Sequence, residues 1–253
     1  MSDHVTVTRE EGVLHLTLNR PEKKNALTGA MYGTLIEAFD EADRSDAIGA
    51  VVIAGAGGVF SAGNDIGDFL QFASSPGGAP PFRFVRRLAN LETPLVAAVD
   101  GLAVGIGTTL LLHCDLAYAA PTARFRMPFV DLGLVPEAGS SLLLPQRVGT
   151  AKAAELLLLA EGFDAAEALR LGLLNGVVQT QELLPHALAQ ARKLAAKPRG
   201  AVAATRRLLR GDRTALLAQM DAEGQAFGAA LASPEARAAF MAFLSKPKAA
   251  AAS

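Results

Sequence analysis

The chain has 253 residues, 51% of them hydrophobic and 19% charged, and 24 Lys and Arg against 25 Asp and Glu leave a formal charge of −1. That balance excludes a disordered polypeptide and leaves no global field to draw the chain onto nucleic-acid phosphates or an anionic membrane surface. A single cysteine, Cys114, excludes an internal disulfide and a multi-cysteine metal site, which fits a reducing, cytoplasmic compartment.

Met1 to Val5 hold no basic segment leading into an apolar run, and no apolar run reaches the ~18 residues of a membrane span, so a soluble protein without a targeting segment is expected. Residues 5–8 and 13–18 alternate, or nearly alternate, apolar and polar positions and predict two half-buried strands, with Glu11-Gly12 as the hairpin turn. Residues 19–27 read as a polar loop. Thr28 is placed to cap a helix running to about Arg44, with Met31, Leu35, Ala38, Phe39 and Ala42 on one face. The apolar run over 48–54 predicts a buried strand of the parallel type, ended by Gly55 to Gly58. Phe60 to Ile66 form a loop entering a short helix.

A Ser-, Pro- and Gly-rich stretch over 74–81 is the most flexible internal segment by composition. A helix near 82–91 and a buried strand over 95–99 follow. Gly101 to Gly107 then make a glycine-spaced turn into an apolar helix over 108–114. Residues 116–119 predict a strand and 124–128 a short strand or loop. From Thr150 the pattern is helical, over 151–160, 164–171, 183–196, 201–209, 212–232 and 234–244, with Pro198 and Gly211 as breaks and 246–253 as a disordered tail. Strand-turn-helix units followed by helices predict an α/β fold with a helical C-terminal part and no internal repeat or clear linker.

Two glycine-containing turns, 60–66 and 101–107, each follow an apolar strand and lead into a helix. Such turns expose backbone N–H groups at the positive helix end, where developing negative charge is stabilised. On spacing alone, glycines that merely permit tight turns explain the pattern as well. The second turn lacks the G-x-G-x-x-G order of a dinucleotide-binding loop.

Phe60-Ser61-Ala62-Gly63-Asn64-Asp65-Ile66, then Gly101-Leu102-Ala103-Val104-Gly105-Ile106-Gly107, then Cys114-Asp115, then Leu132-Gly133-Leu134-Val135-Pro136-Glu137-Ala138-Gly139 together resemble the crotonase (enoyl-CoA hydratase/isomerase) superfamily, over nearly the whole chain. The resemblance implies a ClpP/crotonase-like spiral of ββα units over 1–195 and a helical trimerisation region over 196–253, within one continuous domain. It implies an acyl-CoA thioester as ligand, with coenzyme A entering as part of the substrate and no permanently bound cofactor or metal. The thioester oxygen would sit between the backbone N–H groups of Asn64 and Ile106.

The hydratases of this superfamily carry two glutamates. This chain has Thr109 and Phe129 at the corresponding positions, and neither serves as a base near neutral pH. Glu137 remains, in a segment that resembles the single-glutamate 3-enoyl-CoA to 2-enoyl-CoA isomerases. Its plainer reading is a solvated loop carboxylate. As a base it needs a raised pKa, and Leu134, Val135, Leu142 and Phe129 are the candidate apolar neighbours.

Asp65, Asp68 and Asp131 are possible second carboxylates that would restore hydration; as ordinary residues they cap helices or face water. By resemblance Lys24, Ala62, Asp65, Ile66, Phe243 and Lys246 contact the CoA part, with Lys23 beside Lys24. A solvated charge pair and a frayed terminal Phe-x-x-Lys account for the same residues. His4, His15, His113 and His186 show no metal spacing, and Cys114 reads as an inert core thiol. Phe69, Leu70, Phe72, Phe82 and Phe84 are candidates for an acyl pocket or for plain core. The expected protein is an acyl-CoA double-bond isomerase, homotrimeric or a dimer of trimers, binding neither nucleic acid nor membrane. A hydratase or other crotonase-type enzyme and a non-catalytic acyl-CoA-binding protein are the alternatives.

Overall fold

The structure is a computed structural model and describes residues 2–71 and 79–245, without the side chains of 69–71, 243 and 244. In chain order the elements are β1 (Val5–Glu10), β2 (Val13–Leu18), α1 (Gly29–Arg44), β3 (Ala50–Gly55), α2 (Ile66–Gln71), α3 (Pro80–Ala89), β4 (Leu95–Val99), β5 (Leu102–Val104) and α4 (Ile106–Thr109). Then come β6 (Leu116–Ala119), β7 (Arg124–Arg126), α5 (Ser140–Val148), α6 (Thr150–Ala154), β8 (Phe163–Asp164), α7 (Ala165–Arg170), β9 (Gly176–Val177), α8 (Thr180–Ala195), α9 (Arg199–Arg210), α10 (Thr214–Leu231) and α11 (Pro234–Ser245).

Burial drives the main layer. A six-stranded sheet runs in the order β1-β2-β3-β4-β6-β9, with β1 antiparallel to β2 and the remaining neighbours parallel. Strands β3 and β4 are apolar throughout because both faces are covered. Alternate residues point to opposite faces. Val51 and Ile53 of β3 and Leu95, Ala97 and Val99 of β4 join the core that holds α1 and α3, whereas Val52, Val96 and Ala98 pack with Leu183, Ala187 and Ala191 of α8. The hairpin turn is closed by Glu11 and Gly12, at φ 50° and 76°. Thr28 caps α1 as its position predicts, its hydroxyl accepting from the Met31 N–H at 3.3 Å.

Several expectations are revised. The glycine turn over 101–107 contains a strand, β5, and the following helix starts at Ile106, two residues earlier than predicted. It tightens into a 3-10 turn over Leu110–His113. Threonine hydroxyls compete for the carbonyls there, Thr108 donating to Ala103 O at 2.7 Å. Helix α5 has no counterpart in the sequence reading, since Pro145 lies inside it and Gly139 stands at its N-cap without a capping side chain. The helix expected over 151–160 divides into α6 and a wider π turn over Glu155–Leu159. Strands β8 and β9 are two residues each, too short to leave a periodic pattern. The expected tail over 246–253 lies outside the described residues.

The C-terminal helices are not a detached unit. Arg206 of α9 is buried and donates to Asp115 Oδ1 at 2.7 Å and to the carbonyls of Leu91 and Glu92 at 2.7 and 2.5 Å. Helix α10 packs against α5 and α3.

A second sheet, β5-β7-β8, sits beside the first. What ties them is main chain. Ser61 N donates to Leu102 O and Val104 N donates to Ser61 O, both at 2.9 Å, while Leu27 N donates to Gly63 O at 2.8 Å. Glycine is required at Gly63 and Gly107, where a Cβ would stand 2.9 Å from Val104 O and from Ser61 O. Buried Asn25 fastens the loop after β2 to this junction: its Nδ2 donates to Ala56 O at 2.9 Å and Val59 O at 2.6 Å, and its Oδ1 accepts from Arg20 N at 2.7 Å.

Replacing Asn25 by Ala orphans these buried backbone groups. Asn25→Ala is expected to lower the unfolding free energy by about 2–4 kcal/mol, seen as a lower urea midpoint at unchanged slope. A midpoint within error of wild type would contradict this account of the junction.

Candidate active site

The two glycine turns meet at Ser61. Its hydroxyl donates to Asn25 O at 2.9 Å and accepts from Gly63 N at 3.1 Å, which fixes the path of the first turn up to Asn64. In the second turn Gly105 adopts φ 55°, ψ −121°, a conformation that glycine supplies without strain, and Ile106 is the first residue of α4. Neither Asn64 N nor Ile106 N donates a hydrogen bond among the described residues. Ile106 is nearly fully buried and Asn64 partly so. Tyr32 of α1 holds the Asn64 side chain, its hydroxyl donating to Oδ1 at 2.5 Å.

Glu137 lies between β7 and α5 and is 9% exposed. Desolvation pushes its carboxyl up to about 8, and the charge of Glu223 adds to the rise, while the hydrogen bond from Thr109 opposes it. The Thr109 hydroxyl donates to Glu137 Oε1 at 2.5 Å. Thr109, at a position where the resemblance puts a hydratase glutamate, thus acts as a hydrogen-bond donor to Glu137. Of the expected apolar neighbours, Phe129, Leu134 and Val135 belong to or pack against the main core, whereas Leu142 is half-buried outside it.

The segment bearing Glu137 is tightly held. His113 is buried, and desolvation takes its imidazole down to about 4, so it is neutral near pH 7. It faces Ala138 O at 2.7 Å, an acceptor, which makes the Nε2 nitrogen the protonated one. Ala138 and Gly139 follow at φ 59° and 70°. Glu223 of α10, 6% exposed, accepts from Gly139 N at 2.6 Å and Ser141 N at 2.9 Å, and from the Ser141 hydroxyl.

Lys24 and Ala62 are joined through backbone, Ala62 N donating to Lys24 O at 2.8 Å, and the Lys24 side chain is exposed. Asp65 pairs with Arg20 at 2.7 Å and accepts from Asp68 N at 3.2 Å. Burial alone would raise the Asp65 carboxyl, but these partners bring it below its ordinary value. Ile66 opens α2 and packs against the core. Asp68 accepts from Gly29 N at 2.6 Å and Asp131 pairs with Arg126 at 2.8 Å, so all three alternative carboxylates have partners of their own.

Phe84 is core, stacked with Phe39 and tilted against Tyr32, and Phe82 meets Phe227 edge to face. The side chains of Phe69, Leu70, Phe72 and Phe243, and all of Lys246, lie outside the described residues. Cys114 is buried, which pushes its thiol up and leaves it unreactive. Among the described residues no group of three or more His, Cys, Asp or Glu could hold a metal ion, and no helix is long and apolar enough to cross a membrane.

Sequence reasoning missed Tyr32, His113, Asn25 and Glu223 as site-building residues. Glu223 alone leaves a signal: with Met220 and Phe227 it shares the buried stripe of α10, a charge where an apolar residue is the rule.

Residues 8–251 match the family model described as Enoyl-CoA hydratase/isomerase. The 1,2-epoxyphenylacetyl-CoA isomerase of Escherichia coli K12 is 40% identical over 196 residues, covering 75% of each chain. The crotonyl-CoA hydratase of Syntrophomonas wolfei is 34% identical over 253 residues, covering 98% of this chain and 97% of its own. A solved enoyl-CoA hydratase/isomerase from Pseudoalteromonas atlantica T6c superposes with a TM-score of 0.91 at 42% identity, over 96% of this chain and 97% of that one. The likeness extends across the whole architecture and bears out the crotonase fold read from the motifs.

Glu137 couples stability to pH. The folded state holds its proton up to about pH 8, whereas the unfolded chain releases it near the ordinary value of 4.5, so this group lowers stability progressively as pH rises between those limits. Glu137→Gln removes the effect. The variant is expected to gain stability over wild type by roughly 4–5 kcal/mol at pH 8.5 and by almost nothing at pH 4.5. Thermal melts at both pH values check this, and a pH-independent difference would contradict the burial argument.

Proposed function

The chain belongs to the enoyl-CoA hydratase/isomerase family, and from that premise we propose that it shifts the double bond of a 3-enoyl-CoA to the 2 position, with Glu137 as the one acid/base group. The observation that carries this reading is a buried carboxyl, raised to about 8 and hydrogen-bonded by Thr109, on a loop held against α10. A group that must take and return one proton near neutral pH works best with a pKa in that range.

The thioester carbonyl oxygen accepts hydrogen bonds from Asn64 N and Ile106 N, two amides with no partner of their own among the described residues. Ionised Glu137 removes a proton from C2. The electron pair delocalises over the C3–C4 double bond and the carbonyl, and the charge rests on the thioester oxygen. Protonated Glu137 then delivers the proton to C4, which leaves the double bond between C2 and C3. One base serves both positions when both protons lie on the same face of the chain. Fixed donors at the developing oxyanion are worth about 10²–10³ in rate each.

Lys24, Ala62, Asp65 and Ile66, with Phe243 and Lys246, are the proposed contacts of the CoA part. The acyl-CoA is the substrate, without a permanent cofactor. The proposal includes a homotrimer or dimer of trimers in the cytoplasm, and the exposed Leu158, Leu159, Leu208 and Leu209 favour association. Hydration is the second reading, favoured by the likeness to a crotonyl-CoA hydratase. It requires a second carboxylate for water. Asp65, Asp68, Asp131 and Glu223 are each occupied by other donors, which favours isomerisation. Likeness to an isomerase of 1,2-epoxyphenylacetyl-CoA supports the isomerase branch and adds ring-bearing acyl groups to the substrate classes to be assayed.

Glu137→Gln is expected to lower turnover of 3-hexenoyl-CoA by about 10²–10⁴-fold while leaving thioester binding, measured calorimetrically, within a few-fold of wild type. Turnover close to wild type would overturn the assignment. Loss of enone absorbance with crotonyl-CoA as substrate would favour hydration instead.

A further inference from the structure

Among the described residues, Glu223 is the one buried carboxylate that the proposed reaction does not use. It reaches from α10 to the start of α5, where Oε2 accepts from Gly139 N at 2.6 Å and Oε1 accepts from Ser141 N at 2.9 Å and from the Ser141 hydroxyl. The first N–H groups of a helix have no partner within it and carry its positive end. Gly139 is the N-cap of α5 and offers no side chain to satisfy them. The carboxylate of another helix does so instead. Gln219, one turn earlier on α10, donates to the Ser141 hydroxyl at 2.9 Å.

The contact is close as well as polar. A Cβ on Gly139 would stand 2.4 Å from Leu216 Cδ1 and 3.3 Å from Met220 Cγ, so α10 presses directly on the residue two places after Glu137. We propose that Glu223 is a positioning residue for Glu137: it anchors the catalytic loop to α10 from across the fold, and its charge sets how readily Glu137 gives up its proton. This rests on Glu137 being the acid/base group.

The anchor and the base are both buried, 6% and 9% exposed, so little water screens one carboxylate from the other. The other titratable groups around the loop do not offset that charge. Tyr32 of α1 is buried and its phenol is pushed well up by desolvation and by Glu137 itself. His113, after α4, is neutral. Arg147 on α5 donates to Gly172 O, and Lys152 on α6 pairs with Glu155 and Glu167. Repulsion from Glu223 favours protonated Glu137, the form that returns a proton to C4.

The test compares wild type with Glu223→Gln, which removes the charge and keeps the shape. The acid limb of the kcat/KM–pH profile is expected to move down by about 0.5–1 pH unit, because an ionised Glu137 is no longer opposed. kcat at its plateau is expected to fall about tenfold as the loop loosens. A residue with only a structural role would lower kcat or stability without moving the limb. Glu223→Asp, which keeps the charge but draws it back towards α10, is expected to shift the limb in the same direction by less, and it serves as the test if the Gln variant does not fold.

A second readout does not depend on turnover. The pH-dependent stability gain of Glu137→Gln is measured in the wild-type and Glu223 variant backgrounds by thermal melts, and it is expected to shrink when the Glu223 charge is removed or withdrawn. If the gain shrinks but the kinetic limb stays fixed, the coupling stands and Glu137 is not the base. If neither moves, Glu223 has no such role.

Discussion

The fold depends on two backbone segments brought into hydrogen-bond contact at Ser61. The turn after β3 and strand β5 pair there through main-chain atoms, and Gly63 and Gly107 are the residues whose missing side chains let them approach. The two amides proposed to hold the thioester oxygen sit on this junction. Asn64 is three residues beyond Ser61, and Ile106 is three beyond its bridge partner Ala103. Main chain is a better support for such a site than side chains, because its hydrogen bonds lose little entropy on forming and its geometry follows from the sheets that extend from it.

The second constraint is the price of burying a carboxyl. Desolvation makes ionised Glu137 costly, and the protein offsets this only in part, with one hydroxyl from Thr109, while a second carboxylate nearby adds to the cost. A fold selected for stability alone would place an apolar residue there. The retained strain, together with positive φ at Ala138 and Gly139, is concentrated in the four residues from Pro136 to Gly139, which is where such costs gather when chemistry requires them. Holding that segment takes contributions from three elements distant in sequence: Thr109 of α4, His113 of the turn after it, and Glu223 of α10.

Local signals were enough for the regular elements. The alternation over β2, the apolar runs of β4 and β6, and the Thr28 cap of α1 all stand where the residues place them, because each is decided by neighbours within one strand or one turn of helix. Helix α5 was not legible. Its N-terminus is satisfied by Glu223, 84 residues further along the chain from Gly139, and its interior proline argues locally against it. The short strands β5, β8 and β9 exist through pairing and leave no pattern of their own.

The residues by themselves determined an α/β chain with a helical end, the crotonase likeness of four ordered motifs, and Glu137 as the ionisable group of the Leu132 to Gly139 motif. Only the tertiary structure decided that Glu137 is withdrawn from water, that Thr109 holds it, and that Asp65, Asp68 and Asp131 are engaged elsewhere. The reason is physical. A motif specifies which groups are present and the backbone path near them, but proton affinity depends on how much water surrounds a group and which charges face it. Both are set by segments that meet only when the chain is folded.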